Sequence, residues 1–290
     1  MMQTMRSNLH ALFTLRERGS GKIAVGYAII GLFVFTAMAA PWITTGEPAR
    51  QDLLNRLAFP SFAHPLGTDQ LGRDVWTRLV YAIQLDFRIG ILGMLLPAIL
   101  GSLIGVASAL SPHWLDAAIS RLADIIISLP LFVFFLALAG LLGPGSDWGP
   151  FGPGELPILL GFTLLGWVVY ARLLRTEMHR ILAMEYIRAA ITGGLPLHRV
   201  IIGHVMPNAV GQTLVYMCVD IGLAILSLAT LSFLGAGVPL DRPELGGMIS
   251  ASRTVISSNW WLVAAPGAVL ALMGTGLALI GDGLDDRLKP

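Results

Sequence analysis

Asp124 and Asp220 are the two ionisable residues that fall well inside long apolar stretches of this 290-residue chain. A carboxyl group within a membrane span can carry a proton, receive a cation or line a solute pathway, and it is costly enough to be a functional candidate by default. Asp124 has Arg121 one helical turn before it, so a local ion pair accounts for it without any further role. Asp220 has no close basic neighbour in sequence, and two readings stay open: a pathway-lining residue, or a hydrogen bond that packs two helices. No enzyme signature accompanies these carboxylates. The sequence has no His-Glu-x-x-His, no Gly-x-Ser-x-Gly and no acidic cluster with metal-ligand spacing. The Gly-Ser-Gly-Lys run at 19–22 is not a phosphate loop, because that pattern needs Gly where Arg16 stands and Ser or Thr where Ile23 stands. The single cysteine, Cys218, excludes an intrachain disulfide and a multi-cysteine metal site.

The elements that must hold these residues are membrane spans. Hydrophobic residues make up 55% of the chain, charged residues only 13%, and the mean hydropathy is +0.73; soluble domains carry roughly 25% charged residues. A net charge of +1 gives no argument for nucleic acid or for an acidic substrate. Residues 1–22 contain Arg6, Arg16, Arg18 and Lys22, and the apolar run 23–43 that follows is long enough to cross a ~30 Å hydrocarbon layer. It is a retained first span rather than a cleaved signal, whose core would be about 7–15 residues.

Further spans are expected near 87–110, 122–142, 156–174, 212–236 and 260–281. Six spans put both termini on one side. The loop 143–155 has no Lys or Arg, whereas 172–211 carries Arg172, Arg175, Arg180, Arg188 and Arg199, so the latter segment belongs in the cytoplasm. Twelve of the 19 basic residues then lie on the cytoplasmic side, although four arginines in 44–86 run against the trend. In that outer loop, Thr68 or Asp69 could cap a helix in which Leu71, Val75, Trp76, Leu79 and Ile83 recur at helical spacing. An amphipathic helix lying at the outer interface is expected there. Small residues inside the spans, among them Gly90, Gly93, Gly101, Gly105, Gly222, Gly274 and Gly276, suit close helix packing, and Pro97 should bend the second span.

One compact polar block interrupts this apolar chain: residues 183–209, AMEYIRAAITGGLPLHRVIIGHVMPNA. Leu182, Tyr186, Ala189 and Ala190 share a helical face, while Arg180, Glu185 and Arg188 point elsewhere. Gly193 and Gly194 end that helix, and Pro196 fits the first turn of a second one, whose Leu197, Val200, Ile201 and Val205 run up to Pro207. The spacing predicts a short helix, a glycine elbow and another short helix, with Ala189 and Ala190 leaving room for a partner. An ordinary structured loop is the alternative. A DNA-binding helix-turn-helix would want more basic residues.

Residues 188–207 of this block resemble the EAA loop of ABC-importer permeases: Ala189, Ala190, Gly194 and Pro207 match its pattern, while Arg188, His204 and Met206 replace its Glu, Ile and Leu. The form EYIRAA…G…HVMPN is similar to that of the dipeptide/oligopeptide/nickel branch, as are HPLGTDQLGRDVWTRLVYA at 64–82, LSFLGAGVPLDRPELGGMIS at 231–250 and GDGLDDRL at 281–288. The resemblance covers essentially the whole chain and is closest to the C-type permease subunit. Asp86 and Arg88 depart from it, standing where such permeases usually have small or apolar residues.

The resemblance implies an all-α polytopic membrane protein with six transmembrane helices, the type I ABC-importer permease fold and a cytoplasmic coupling helix pair. It implies a cytoplasmic segment 1–22, a first transmembrane helix 23–43, an external loop 44–86, a five-helix core 87–281 containing the coupling loop 176–211, and a cytoplasmic tail 282–290. Glu185, Tyr186, Arg188, Ala189, Ala190, Gly193, Gly194 and Pro207 would be the ATPase-coupling residues, and Asp220 a pathway residue. The implied partners are a homologous B-type permease subunit, two ABC ATPase subunits, an extracytoplasmic substrate-binding protein and membrane lipid. ATP and Mg²⁺ would be bound by the ATPases, and this non-enzymatic chain would hold no cofactor. The implied location is the prokaryotic inner membrane, and the solute a di- or oligopeptide, nickel, glutathione or another small molecule. A stand-alone channel or secondary transporter is the competing class; it should show an internal repeat, broken helices or several intramembrane charges.

Overall fold

The computed structural model describes residues 20–44, 46–143 and 149–288, and among these the chain is predominantly helical. Helix α1 is Ser20–Met38, and a one-turn helix, Ala40–Ile43, follows it. The segment to residue 74 is an irregular cap whose only β feature among the described residues is an isolated bridge between Thr68 and Asp74. Helix α2 is Val75–Leu110, α3 His113–Ile127, α4 Leu131–Leu142, α5 Glu155–Leu182 and α6 Glu185–Thr192. A 37-residue helical run, α7, covers Leu197–Phe233 and includes a π-helical turn at Ile201–Val205. The short α8, Leu245–Ser252, precedes α9, Trp261–Leu288. Among the described residues, five helices (α1, α2, α5, α7 and α9) are long and apolar enough to cross a membrane, and the bent pair α3–α4 makes up to six.

The outer amphipathic helix expected before the second span is not a separate element. Leu79, Val80, Ala82 and Ile83 are buried in the first turns of α2 itself. Its N-cap is Asp74, which accepts from Thr77 N at 2.8 Å, rather than Thr68 or Asp69. At 1.5 Å per residue the 36-residue α2 is about 54 Å long, so it outruns a ~30 Å hydrocarbon layer by several turns, and those turns pack against the cap. Thr68 and Asp69 instead build the cap: Thr68 Oγ1 accepts from Ala58 N and donates to Asn55 O, while Asp69 accepts from Leu71 N, Arg73 N and Arg73 Nε.

The third span, expected near 122–142, is built from two helices, α3 and α4. Its two helices meet at 82° around Ser128–Pro130. Pro130 supplies no N–H and disfavours helical geometry at Leu129, so the helix must stop and restart here. Pro97, by contrast, lies inside an uninterrupted α2.

Helices α2 and α5 approach each other backbone to backbone at glycine. A Cβ at Gly101 would lie 2.3 Å from Trp167 O, and one at Gly105 would lie 2.6 Å from Ala171 O. A spacing of four residues puts both glycines on one face, and that face accepts the backbone of α5 directly. Packing then falls into three main layers. Near the cap, Phe33, Val75, Leu79, Leu245, Met273 and Leu277 cluster; in the middle, Ile89, Met94, Phe135, Phe162 and Leu228 do so; at the opposite end, Leu174, Met178, Ile181, Val200 and Val205 enclose Ile187.

Candidate functional site

The polar block lies at the end of the bundle away from the cap, in continuity with α5 and α7. Helix α5 stops at Leu182, Met184 caps the next helix, and α6 begins at Glu185. A chain of hydrogen bonds closes α6: Gly193 N to Ala189 O at 2.8 Å, Gly194 N to Ile191 O at 3.0 Å and Leu195 N to Ala190 O at 3.1 Å. Gly194 has φ +90° with open space where a Cβ would stand, so glycine is required there for its backbone and not for clearance. Pro196 is the cap of α7 rather than a residue of its first turn.

Two features of this block differ from the sequence expectation. The second helix does not end at Pro207. The i→i−5 turn, in which Met206 N reaches Ile201 O, widens the helix just before Pro207, and the run continues to Phe233. A π turn accommodates the missing N–H and the bulk of the proline ring that would otherwise break an α-helix. The second difference is which face points inward. Ile187, fully buried, anchors α6 to Leu174, Met178, Ile181 and Val200, and half-buried Ala190 packs against the same cluster. Ala190 therefore serves the chain's own core. Glu185, Tyr186, Arg188, Ala189 and Gly193 are exposed, as are Ile191, Leu195, Leu197, Ile202 and Pro207. An outward surface with this many large apolar side chains suits contact with another protein.

Ion pairs tie the bent α3 to α5 just above this block. Arg175 Nε and Nη2 reach Asp116 Oδ1 and Oδ2 at 2.6 and 2.5 Å, and Ser108 Oγ donates to the same Oδ1. Asp124 accepts from Arg172 at 2.5 Å, so its partner is on the neighbouring helix and is not Arg121. Sequence proximity hid this pairing, because only the fold brings α3 alongside α5.

Asp220 lies near the midpoint of Met206–Phe233, and Tyr170 near the midpoint of α5. The buried Tyr170 hydroxyl donates to Asp220 Oδ2 at 2.8 Å, and the Tyr170 and Tyr216 rings meet edge to face with centroids 5.4 Å apart. Asp220 also lines a cavity of about 410 Å³ with Tyr216, Ser227, Met94, Phe162, Ile126 and Leu131. One oxygen ties α7 to α5, as the packing alternative expects, and the residue also fronts a cavity at the α3–α4 bend.

At the cap end, the two residues that depart from the permease pattern both have partners. Asp86 is fully buried in α2 and accepts from Leu245 N at 3.4 Å, beside Glu244, which caps α8 by accepting from Gly246 N and Gly247 N at 2.8 and 2.7 Å. Burial pushes the Glu244 carboxyl above the usual glutamate range, opposed by those backbone donors. Arg88 reaches the buried Glu155, which also accepts from Arg242 at 2.6 Å. Arg73 and Arg78 both donate to Leu240 O, at 3.3 and 3.2 Å, and clasp the cap to the loop before α8. Glu155, Glu244 and Tyr170 were not singled out from sequence. Each gains its role from a residue more than 45 positions away or from burial.

A polytopic helical bundle with a cavity at mid-span and an exposed apolar helix pair at one end suits a membrane transport component. Residues 98–290 match the family model for the binding-protein-dependent transport system inner membrane component, and the chain belongs to that family. It is a multi-pass inner-membrane permease subunit of an ABC importer, a transport component and not an enzyme. It is similar to the dipeptide transport system permease protein DppC of Alkalihalophilus pseudofirmus, at 34% identity over 92% of this chain and 84% of the relative. It is also similar to the probable D,D-dipeptide transport system permease protein DdpC of Escherichia coli, at 33% over 94% and 89%, and to the oligopeptide transport system permease protein OppC of Bacillus subtilis, at 30% over 95% and 88%. Nothing in these similarities favours a stand-alone channel or secondary transporter.

Proposed function

We propose that this subunit carries di- or oligopeptides inward, pairing with a homologous permease subunit to form the pathway and drawing its energy from two separate ATPase subunits that bind ATP and Mg²⁺. An extracytoplasmic binding protein would deliver the solute at the cap end. The observation that carries this reading is the α6–α7 elbow: an exposed surface of Glu185, Tyr186, Arg188, Ala189 and Leu197, braced from beneath by Ile187 and continuous with two spans. An ATPase gripping that surface would move α5 and α7 as levers, and the Arg175–Asp116 and Arg172–Asp124 pairs would carry α3 with them. The cavity at the α3–α4 bend would change with them, which is how a rigid-body, alternating-access step reaches the solute. In this reading Asp220 lines the pathway, the elbow is cytoplasmic and so are both termini. The peptide assignment is supported by the names of the relatives, all of them peptide permeases among those compared.

Affinity purification from membranes in mild detergent tests the assembly. Co-purification of two ATPases and a second permease is the expected outcome, with peptide-stimulated ATP hydrolysis. A chain that purifies alone and transports alone in liposomes would overturn it.

A further inference from the structure

We propose that Asp220 makes the mid-span cavity a cation subsite, which takes the protonated amino group of the transported solute while the apolar walls receive its non-polar part. This rests on reading the cavity as part of the pathway.

Asp220 has two carboxylate oxygens and one donor. Oδ2 accepts from Tyr170, and Oδ1 has no hydrogen-bond donor among the described residues. Among the described residues no Lys or Arg lines the cavity, whose walls include Met94, Ile126, Leu131 and Phe162. The arginines of α5 are engaged elsewhere, Arg172 with Asp124, Arg175 with Asp116 and Arg180 with Glu177, and Arg88 of α2 is held by Glu155. A carboxylate facing an apolar space without a cation is expensive to keep, and an incoming cation would complete it. Tyr216, one helical turn before Asp220, also lines the cavity, and an aromatic ring beside the carboxylate suits a cation better than an anion. Asp220 is the single carboxylate on the described wall, beside Tyr216 and Ser227, and one carboxylate with neutral hydroxyls is a poor set for a divalent metal ion, whereas a primary ammonium needs only two or three acceptors. With no cation on the described wall, the same cavity offers a carboxylate no charge partner. The recognised group is the amine.

The test uses the permease purified with its partner subunits in lipid nanodiscs and two fluorescent probes, alanyl-β-naphthylamide and its N-acetyl derivative, which differ in the ammonium charge. Wild type should bind the cationic probe on the order of tenfold more tightly than the neutral one, as a charge-assisted hydrogen bond implies. Asp220→Asn should remove the preference. Asp220→Glu and Tyr170→Phe, which keep a carboxylate, should retain it and so separate cation binding from helix packing. Equal affinity for the two probes, no binding of either, or a preference that survives Asp220→Asn would overturn the inference. A parallel measurement, labelling of Ser227→Cys by a water-soluble thiol reagent in a Cys218→Ser background, reports on the cavity itself. Labelling without cation preference sinks the subsite alone, and no labelling sinks the pathway reading with it.

Discussion

The guanidinium of Arg175 holds both carboxylate oxygens of Asp116, joining α5 to α3 by two parallel hydrogen bonds. This pair links the helix that carries the elbow to the helix that ends at the cavity. Arg175→Gln should therefore lower peptide uptake while leaving assembly intact, and the exchange Arg175→Asp with Asp116→Arg should restore part of it. Because the Arg175 side chain is 34% exposed, solvent screening limits the coupling free energy in a double-mutant cycle on thermal stability to about 1 kcal/mol. Uptake that is normal in Arg175→Gln would remove the pair from the transmission route.

Ala189 and Ala190 are adjacent but differ in burial, the first exposed and the second packed on the Ile187 cluster, and their leucine variants should fail differently. Ala189→Leu, on the exposed face, should weaken ATPase co-purification roughly five- to 150-fold with unchanged melting of the permease. Ala190→Leu should overpack the Ile187 cluster and lower the melting temperature first. Gly194→Val, forced into φ +90°, should cost about 1–2 kcal/mol and uncouple ATP hydrolysis from uptake. Wild-type docking and hydrolysis in Ala189→Leu and Gly194→Val would reduce the elbow to an ordinary loop.

Gly101→Ala should be among the most damaging small substitutions in the spans, since its methyl would stand 2.3 Å from Trp167 O. Separation of α2 from α5 should lower stability by about 1–3 kcal/mol, read as a fall in apparent melting temperature in detergent. Gly31→Ala, where nothing lies within 4 Å of the added carbon, is the control and should be neutral.

Glu244 holds its proton more tightly when folded than when unfolded, because burial raises its carboxyl above the ordinary value. A group of this sign contributes stability that is complete below the ordinary glutamate value and is lost as pH rises through the higher folded value. Apparent melting temperature, followed from about pH 4 to about pH 8, should fall over that window, and Glu244→Gln should flatten the dependence. A profile unchanged by Glu244→Gln would exclude this carboxyl as its source.

Orientation has a direct readout. Ser146, in the arginine-free loop, lies outside the described residues, and exposed Asn55 in the cap serves as the outer reporter instead. In a Cys218→Ser background, Asn55→Cys should react with an impermeant thiol reagent on intact cells, and Thr192→Cys only after permeabilisation. The reverse pattern would invert the assigned topology.

The membrane character and the long spans follow from apolar run length alone, since a ~30 Å layer imposes a length on any segment that crosses it. The polar block and its glycine elbow were equally legible, because Gly194 and Pro196 act on the backbone of their immediate neighbours. What sequence could not supply was direction and distance. The pattern in 181–190 identified a helix but turned Ala190 outward; the inward face is set by Ile187, whose cluster comes from α5 and α7. Arg121 is nearer than Arg172 to Asp124 in sequence, yet only Arg172 reaches it, because the break at Pro130 swings α3 against α5. Local residues decide how a segment folds, whereas pairings such as Tyr170 with Asp220, 50 positions apart, exist only once helices have packed and buried polar groups must find partners.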